Sequence, residues 1–431
     1  MALRTLVLSL CLAAPAVATD YYVDPIMGND LLGTGAPASP LATITKALTV
    51  AVADGDTVYL TPGTYAPSGG EAFPLKPKPG VTLQGSGVHQ CVISGEGSGT
   101  LIETKDRTLI SDVHLERAEV AIYSHMKPFD AHYLRRCRLE NNDVGVRMDA
   151  DLHSDGSVVL VGCSLLNNDK AFRHESFSDD FQSVSLLIYG TTVMNNIDAF
   201  VFNGFGERYI GVYDSIVWGN GDDSLSDYPF TLGVTSNLMT DPTHVGINGN
   251  LNLNPGLPSL IDLDAHVAAT GSARDHSTIA PVWPPSGQWT GSFNWVWEAT
   301  YEEIADLDGD LRPVGGPRDA GSDEFVSPTL HLNGPAELGA TLELRLQADP
   351  GTLLFGVADF GIYASPLGGI LWLQPPYLNL GSTVAGTAGM AVIPVPVPVA
   401  PSLAGIDVDL QALAVGAVIT GSLPATARLL P

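Results

Sequence analysis

Cys137-Arg138-Leu139-Glu140-Asn141-Asn142, followed by Val144-Gly145-Val146, is said again twice with small changes. Cys163-Ser164-Leu165-Leu166-Asn167-Asn168 precedes Lys170-Ala171-Phe172, and Thr191-Thr192-Val193-Met194-Asn195-Asn196 precedes Asp198-Ala199-Phe200. The Asn pairs fall 26 and then 28 residues apart. Repeats of this period mark solenoids or arrays. Each unit is a short apolar strand, an Asn-Asn corner and a second strand. Asn suits the corner because it tolerates left-handed backbone angles and its amide bonds nearby backbone. No unit carries the 3.6-residue apolar period of a helix. The repeat therefore predicts a right-handed parallel β-helix with one coil per unit. Val113-His114-Leu115-Glu116 extends the pattern backwards without its Asn pair, and Asp214 to Asn220 extends it forwards.

The column logic makes further predictions. Asn142, Asn168 and Asn196 should stack, their amides bonding along the wall. Cys137 and Cys163 share a repeat position, and Cys91 matches it two coils earlier. Neighbouring strands lie about 4.8 Å apart, within reach of a disulfide, so a Cys137–Cys163 bridge and a ladder of buried thiols both remain open. Polar excursions interrupt the strands at Met126 to His132, Asp149 to Ser157, Glu175 to Gln182 and Asp222 to Phe230. Insertions in a solenoid gather on one face, often the binding face.

Ahead of the coils, Arg4, the apolar run Leu6 to Ala14 and Ala16-Val17-Ala18 read as a signal peptide over residues 1–18. That run is too short to span a membrane. An extracellular or cell-surface location follows. The 431 residues carry 47 Asp plus Glu against 20 Lys plus Arg, a formal charge of −27. Nucleic acid needs a basic partner, so it is excluded as a ligand class. The charge balance leaves cations, neutral glycans and basic surfaces open as partners, with plain solubility the simpler reading. The expected partner is an extracellular or cell-wall polysaccharide, bound by a monomer.

Residues 21–66 hold Tyr22-Val23-Asp24, Gly28-Asn29-Asp30, Ser39-Pro40 and the run Thr43 to Leu48, a short amphipathic helix with Ser39 or Thr43 near its start. Gly55 to Leu60, Pro62-Gly63-Thr64-Tyr65 and Lys78 to Gly85 follow as turns and strands. These motifs resemble the N-terminal segment of unknown function that opens many secreted β-helix proteins of the pectate-lyase-like superfamily. The resemblance implies a helix capping the solenoid, and it implies no activity. Asp241-Pro242, Gly271 to Asp275, Asp306 to Pro313 and Asp319 to Glu324 are similar to the choice-of-anchor module of such proteins, here interrupted by a Trp-bearing insertion from Ser277 to Tyr301. Its Trp289, Trp295 and Trp297 suit either a cap on the solenoid's end or a sugar platform. Residues 327–431, poor in charge and rich in Pro, Leu, Val and Gly, resemble a small C-terminal β-sandwich module of secreted bacterial proteins. The Pro-rich run Val392 to Pro398 belongs on an edge, because Pro cannot donate to a central ladder.

The fold class is thus all-β: a parallel β-helix over 19–325 with a capping helix, and a β-sandwich over 327–431. Within the first, 19–80 form the cap and first coil, 81–240 the coils, and 241–325 the C-terminal end. Superfamily lyases hold calcium on clustered Asp and use a basic residue, which places candidates at Asp149, Asp151, His153 and Asp155. The acidic pairs Asp179-Asp180 and Asp222-Asp223 are candidates for ligand binding or shared acid and base work. The remaining family signatures of lyases and hydrolases are missing, so a non-catalytic glycan-binding role leads and a polysaccharide lyase or glycosidase is the alternative. An enzyme should set a basic residue against an acidic cluster on adjoining coils, and Arg147 and Arg173 are the stacked candidates. Asp306, Asp308 and Asp310 have the alternate spacing of a short calcium loop, though an ordinary Asp-Gly turn explains them equally well.

Overall fold

A computed structural model describes residues 18–126, 130–150, 156–176, 183–203, 207–223, 225, 230–235, 237–257, 271–276, 307, 319–321, 328–333, 336–360, 362–367, 371–373, 378–416, 419–422 and 425–431. Its first half is a right-handed parallel β-helix. Three parallel sheets form the walls. Among the described residues, one wall runs through nine strands from Asp20–Val23 to Phe230–Thr235, a second through eight from Gly63–Tyr65 to Leu238–Met239. The third has five: β1 (Thr100–Thr104), β2 (Val120–Met126), β3 (Val144–Ala150), β4 (Lys170–Ser176) and β5 (Asp198–Asn203).

One coil shows why the sequence winds. Ala131–Arg135 lies in the first wall, Arg138–Glu140 in the second and β3 in the third; Ser157–Val161 then returns above Ala131–Arg135 in register. Each turn of the chain needs two tight corners, and each corner needs a left-handed residue. Asn141, Asn167 and Asn195 supply it at φ 56°, 52° and 57°; Arg117 takes φ 52° in the coil that lacks the Asn pair, and Gly219 φ 69° in the coil after. The second Asn of each pair points inward and bonds upward. Asn142 Nδ2 and its backbone N–H both donate to Asn168 Oδ1 at 3.0 Å, and Asn168 repeats this to Asn196 Oδ1 at 3.0 and 2.9 Å. Asn196 continues to Asn220, and Asn142 Oδ1 accepts from Ala118 N–H below. The predicted amide ladder is therefore present and one rung longer.

Apolar columns fill the interior. Ile110, Leu134, Leu160, Ile188 and Val212 stack on one wall, Leu115, Leu139, Leu165, Val193 and Val217 on the next. Cys91, Cys137 and Cys163 hold one interior corner as free, buried thiols. Burial pushes the Cys91 thiol up to about 12 and Cys137 well above its ordinary value.

At the N-terminal end, the helix α1 (Ile44–Val50) packs Ile44, Ala47 and Leu48 into the same core. Thr43 is its N-cap, accepting from Lys46 N–H at 3.0 Å. A more distant residue completes the end: the buried Glu71 carboxylate accepts from Ile44 N–H at 2.7 Å and Thr45 N–H at 2.9 Å. These bonds satisfy donors that a helix start leaves open.

Residues 237–251 continue the stack, Leu251 bridging Leu238 in parallel and Asn250 accepting from Asn237, while later pieces of 241–325 pack on the outside of the second wall. Leu257, Ala273 and Ala320 join Leu166, Met194, Ile216 and Leu238 in a second apolar cluster. Gly321, at φ 98°, fits only because it lacks a Cβ, which would stand 2.7 Å from Ile216 Cδ1 and from Thr192 Oγ1. The Trp289, Trp295 and Trp297 cluster lies outside the described residues.

Among the described residues, the C-terminal region is a separate set of sheets of three, six and two strands, the first two sharing a core of Leu344, Leu346, Ile393, Leu354, Leu410 and Ala412, among others. Met390–Pro396 is the edge strand of the three-stranded sheet, where Pro394 and Pro396 cost no ladder bond.

Candidate functional site

All four predicted excursions join the third wall to the first: they leave after Met126, Ala150 and Ser176, and after Asp222, which bridges Asp198. The third wall's outer face borders them, and strand alternation decides what it presents. In β3, Val146, Met148 and Ala150 enter the core, so Arg147 and Asp149 face out. The parallel register then sets Tyr123, Arg147 and Arg173 in one row and His125, Asp149 and Glu175 in the next.

These side chains form one network. Arg147 Nε and Nη2 donate to Asp149 Oδ1 and Oδ2 at 3.0 and 2.9 Å, a two-pronged pairing. The same Nη2 reaches Glu175 Oε2 at 2.8 Å, and Arg173 bonds the other oxygen of Glu175. Tyr123 donates its hydroxyl to Asp149 Oδ2 at 3.1 Å and lies under the Arg147 guanidinium at 5.6 Å. One coil earlier, Glu103 is bonded by Lys76, at 2.7 Å, and by Lys105.

The electrostatics follow from this pairing. The Asp149 bond holds the Arg147 guanidinium above its ordinary value, against the opposing effect of burial. Burial, together with Asp149, pushes the Tyr123 phenol up to about 12. Both groups therefore stay protonated near neutrality, and a general base needs a value close to the working pH. Burial would raise Glu103, but Lys105 and Lys76 more than offset it and leave it lowered. The row offers paired donors and acceptors at fixed positions, with a phenol ring beside them.

Asp149 is thus the one member of its predicted loop that the structure describes; Asp151, His153 and Asp155 lie outside the described residues, as do Asp179, Asp180, Asp306, Asp308 and Asp310. Asp222 and Asp223 stand elsewhere. The register column Val144, Lys170, Asp198, Asp222 puts Asp222 three coils above β3 and five positions short of Asp149 along the strand. Asp223 is buried and bonded by Asn220 and Thr240, closing the amide ladder; burial pushes its carboxyl up against those bonds. Tyr123, His125 and Glu175 join Asp149 without having been singled out in the sequence, although the offset of 26 that stacks Arg147 on Arg173 carries Asp149 onto Glu175, and the 24-residue offset of the coil before carries Arg147 and Asp149 back onto Tyr123 and His125. Among the described residues, no group of three or more His, Cys, Asp or Glu side chains can hold a metal ion.

A second charged row lies outside the second wall. Arg138 Nε bonds Glu140 Oε2 at 2.6 Å, and His114 Nε2 stands 3.4 Å from the same oxygen. Burial would raise Glu140, but His114 and Arg138 together bring its carboxyl down to about 2.

Architecture and site together define the class: a parallel β-helix with an ordered, charge-paired outer wall and a C-terminal β-sheet region. A family described as a protein of unknown function, DUF1565, matches residues 26–127, where the capping helix and first coils lie. A search of curated proteins found no match. Among solved structures, pectate lyase Pel9A is similar at 15% identity with a TM-score of 0.39, covering 72% of this chain and 97% of that one. The lacto-N-biosidase of family GH136 from Eubacterium ramulus is similar at 11% identity with a TM-score of 0.33. That match covers 51% of this chain and 58% of the other, less than two thirds of its length. Among the described residues, no helix is long and apolar enough to cross a membrane.

Proposed function

We propose that this protein is exported and works as a non-catalytic β-helix protein, holding an extracellular or cell-wall polysaccharide against the outer face of its third wall. One observation carries the reading. Arg147, Asp149, Arg173 and Glu175 are already paired with one another, on a rigid sheet, beside Tyr123. Paired charges cost less to leave in place when a neutral or mixed ligand lies over them than an isolated charge would. Repeating rows along adjacent coils also match a polymer whose units repeat.

The test is a carbohydrate array with the mature protein and with Arg147→Met, run beside an activity assay on uronate-containing polysaccharides with calcium. Retention of a polysaccharide by the native protein, reduced in the variant, with no products, is the expected result. Unsaturated products absorbing in the ultraviolet, or new reducing ends, overturn the non-catalytic reading. One observation favours that second reading, a lyase or glycosidase: Asp149 and Glu175, carboxylates on adjacent coils, meet at a single Arg147 nitrogen.

A further inference from the structure

A cavity of about 630 Å³ lies between the first coils and the C-terminal sheets, away from the third wall. Its solenoid side is built by the in-register pair Tyr22 and Tyr59, whose rings stack with centroids 5.2 Å apart, and by His89 and Gln90 from the turn before Cys91. Its other side is Asp407 and Arg428. Arg428 Nη2 pairs with the buried Asp24 Oδ2 at 3.0 Å, tying the C-terminal sheets to the solenoid's entry. Its Nε is buried and lies 3.8 Å from Asp407 Oδ1, too far for a hydrogen bond, so among the described residues that donor has no acceptor. A second cavity of about 390 Å³ continues from the first, with Val88 and His89 lining both.

We propose that this interdomain cleft is a binding site for an uncharged oligosaccharide. Sugar rings present apolar C–H faces that pack on aromatic rings, and the Tyr22–Tyr59 pair offers such a surface beside polar groups. Sugar hydroxyls accept and donate at once. A sugar hydroxyl can donate to the exposed Asp407 carboxylate, and with a small shift of the Arg428 side chain the same hydroxyl can accept from its unpaired Nε. The amide of Gln90 and the imidazole of His89 extend the same mixed character. An anionic sugar is the poorer fit: Arg428 is already neutralised by Asp24, and the chain carries a formal charge of −27. The site goes beyond the third-wall reading and stands on different residues.

The experiment titrates the full mature protein with cello-, xylo-, manno- and chito-oligosaccharides, with oligogalacturonate as the anionic probe, and maps the amides that slow in hydrogen exchange. The expected result is that at least one uncharged probe binds and slows exchange in residues 85–90. Tyr59→Ala, at a half-buried surface position, should weaken that binding about three- to tenfold. Asp407→Asn, which keeps the shape, should weaken it as well. Protection confined to peptides holding Tyr123, Asp149 and Glu175 overturns this inference and leaves the third-wall reading standing. Protection in the cleft by oligogalacturonate alone, or no response to either variant, also overturns it.

Discussion

Replacing Asn168 by alanine removes four hydrogen bonds from a site that is 2% exposed. Two run upward or across, from Nδ2 to Asn196 Oδ1 and to Leu139 O, both at 3.0 Å. Two arrive from below, from the Asn142 backbone N–H and Nδ2 to Oδ1. Asn142 Nδ2 keeps other acceptors in Leu115 O and Glu140 O, but the Asn142 backbone N–H loses its acceptor. A net loss of about 1 kcal/mol for each of the two bonds that Asn168 Nδ2 makes, plus about 1–3 kcal/mol for the stranded Asn142 N–H, gives a destabilisation of about 3–5 kcal/mol. Urea unfolding followed by circular dichroism measures it. The comparison variant is Asn167→Gly, one residue away and exposed, which keeps the left-handed corner and should cost under about 1 kcal/mol. If Asn168→Ala is no worse than Asn167→Gly, the ladder is decoration and the coils are held by apolar packing alone.

Three further outcomes are expected. Arg147→Ala leaves Asp149 and Glu175 without their shared cation and should destabilise by about 2 kcal/mol, discounted for the partial exposure of the guanidinium. Arg147→Lys should recover little, because an ammonium cannot span both Asp149 oxygens, and a urea series on the two variants checks this. The Glu140 carboxyl is lowered in the fold from 4.5 to about 2, so its contribution, on the order of 3 kcal/mol, is whole above the unfolded value and is lost as pH falls from about 4.5 to about 2. Unfolding midpoints across that window should fall more steeply for the native protein than for Glu140→Gln; parallel curves refute the pairing. Cys91, Cys137 and Cys163 should resist a thiol reagent at mild alkaline pH and all react in urea without reductant. Labelling of Cys91 alone would instead reveal a Cys137–Cys163 disulfide.

Legibility in this chain depends on how far apart the partners are. The Asn corner, the Cys column and the helix start, narrowed to Ser39 or Thr43 and found at Thr43, were readable because each is local or recurs at the repeat offset. The face holding Arg147 and Arg173 was half readable: the offset stacks the two arginines, but which residues turn outward depends on where the corner falls, so Tyr123 and Glu175 surfaced only with the register in hand. Glu71 capping a helix that begins 27 residues earlier obeys no repeat. Nor does Arg428 meeting Asp24, since nothing in either neighbourhood names the other. Chemistry assembled by folding back over hundreds of residues leaves no periodic trace.

The identical rungs of the Asn142 column mean that the wall fixes no particular number of coils between its two ends. A duplicated stretch of one period, spliced in after Asn142, would meet a waiting acceptor above and a waiting donor below, and would seat without disturbing its neighbours. Unequal recombination can therefore lengthen or shorten the surface offered to a polymer one step at a time, leaving the two ends of the molecule untouched.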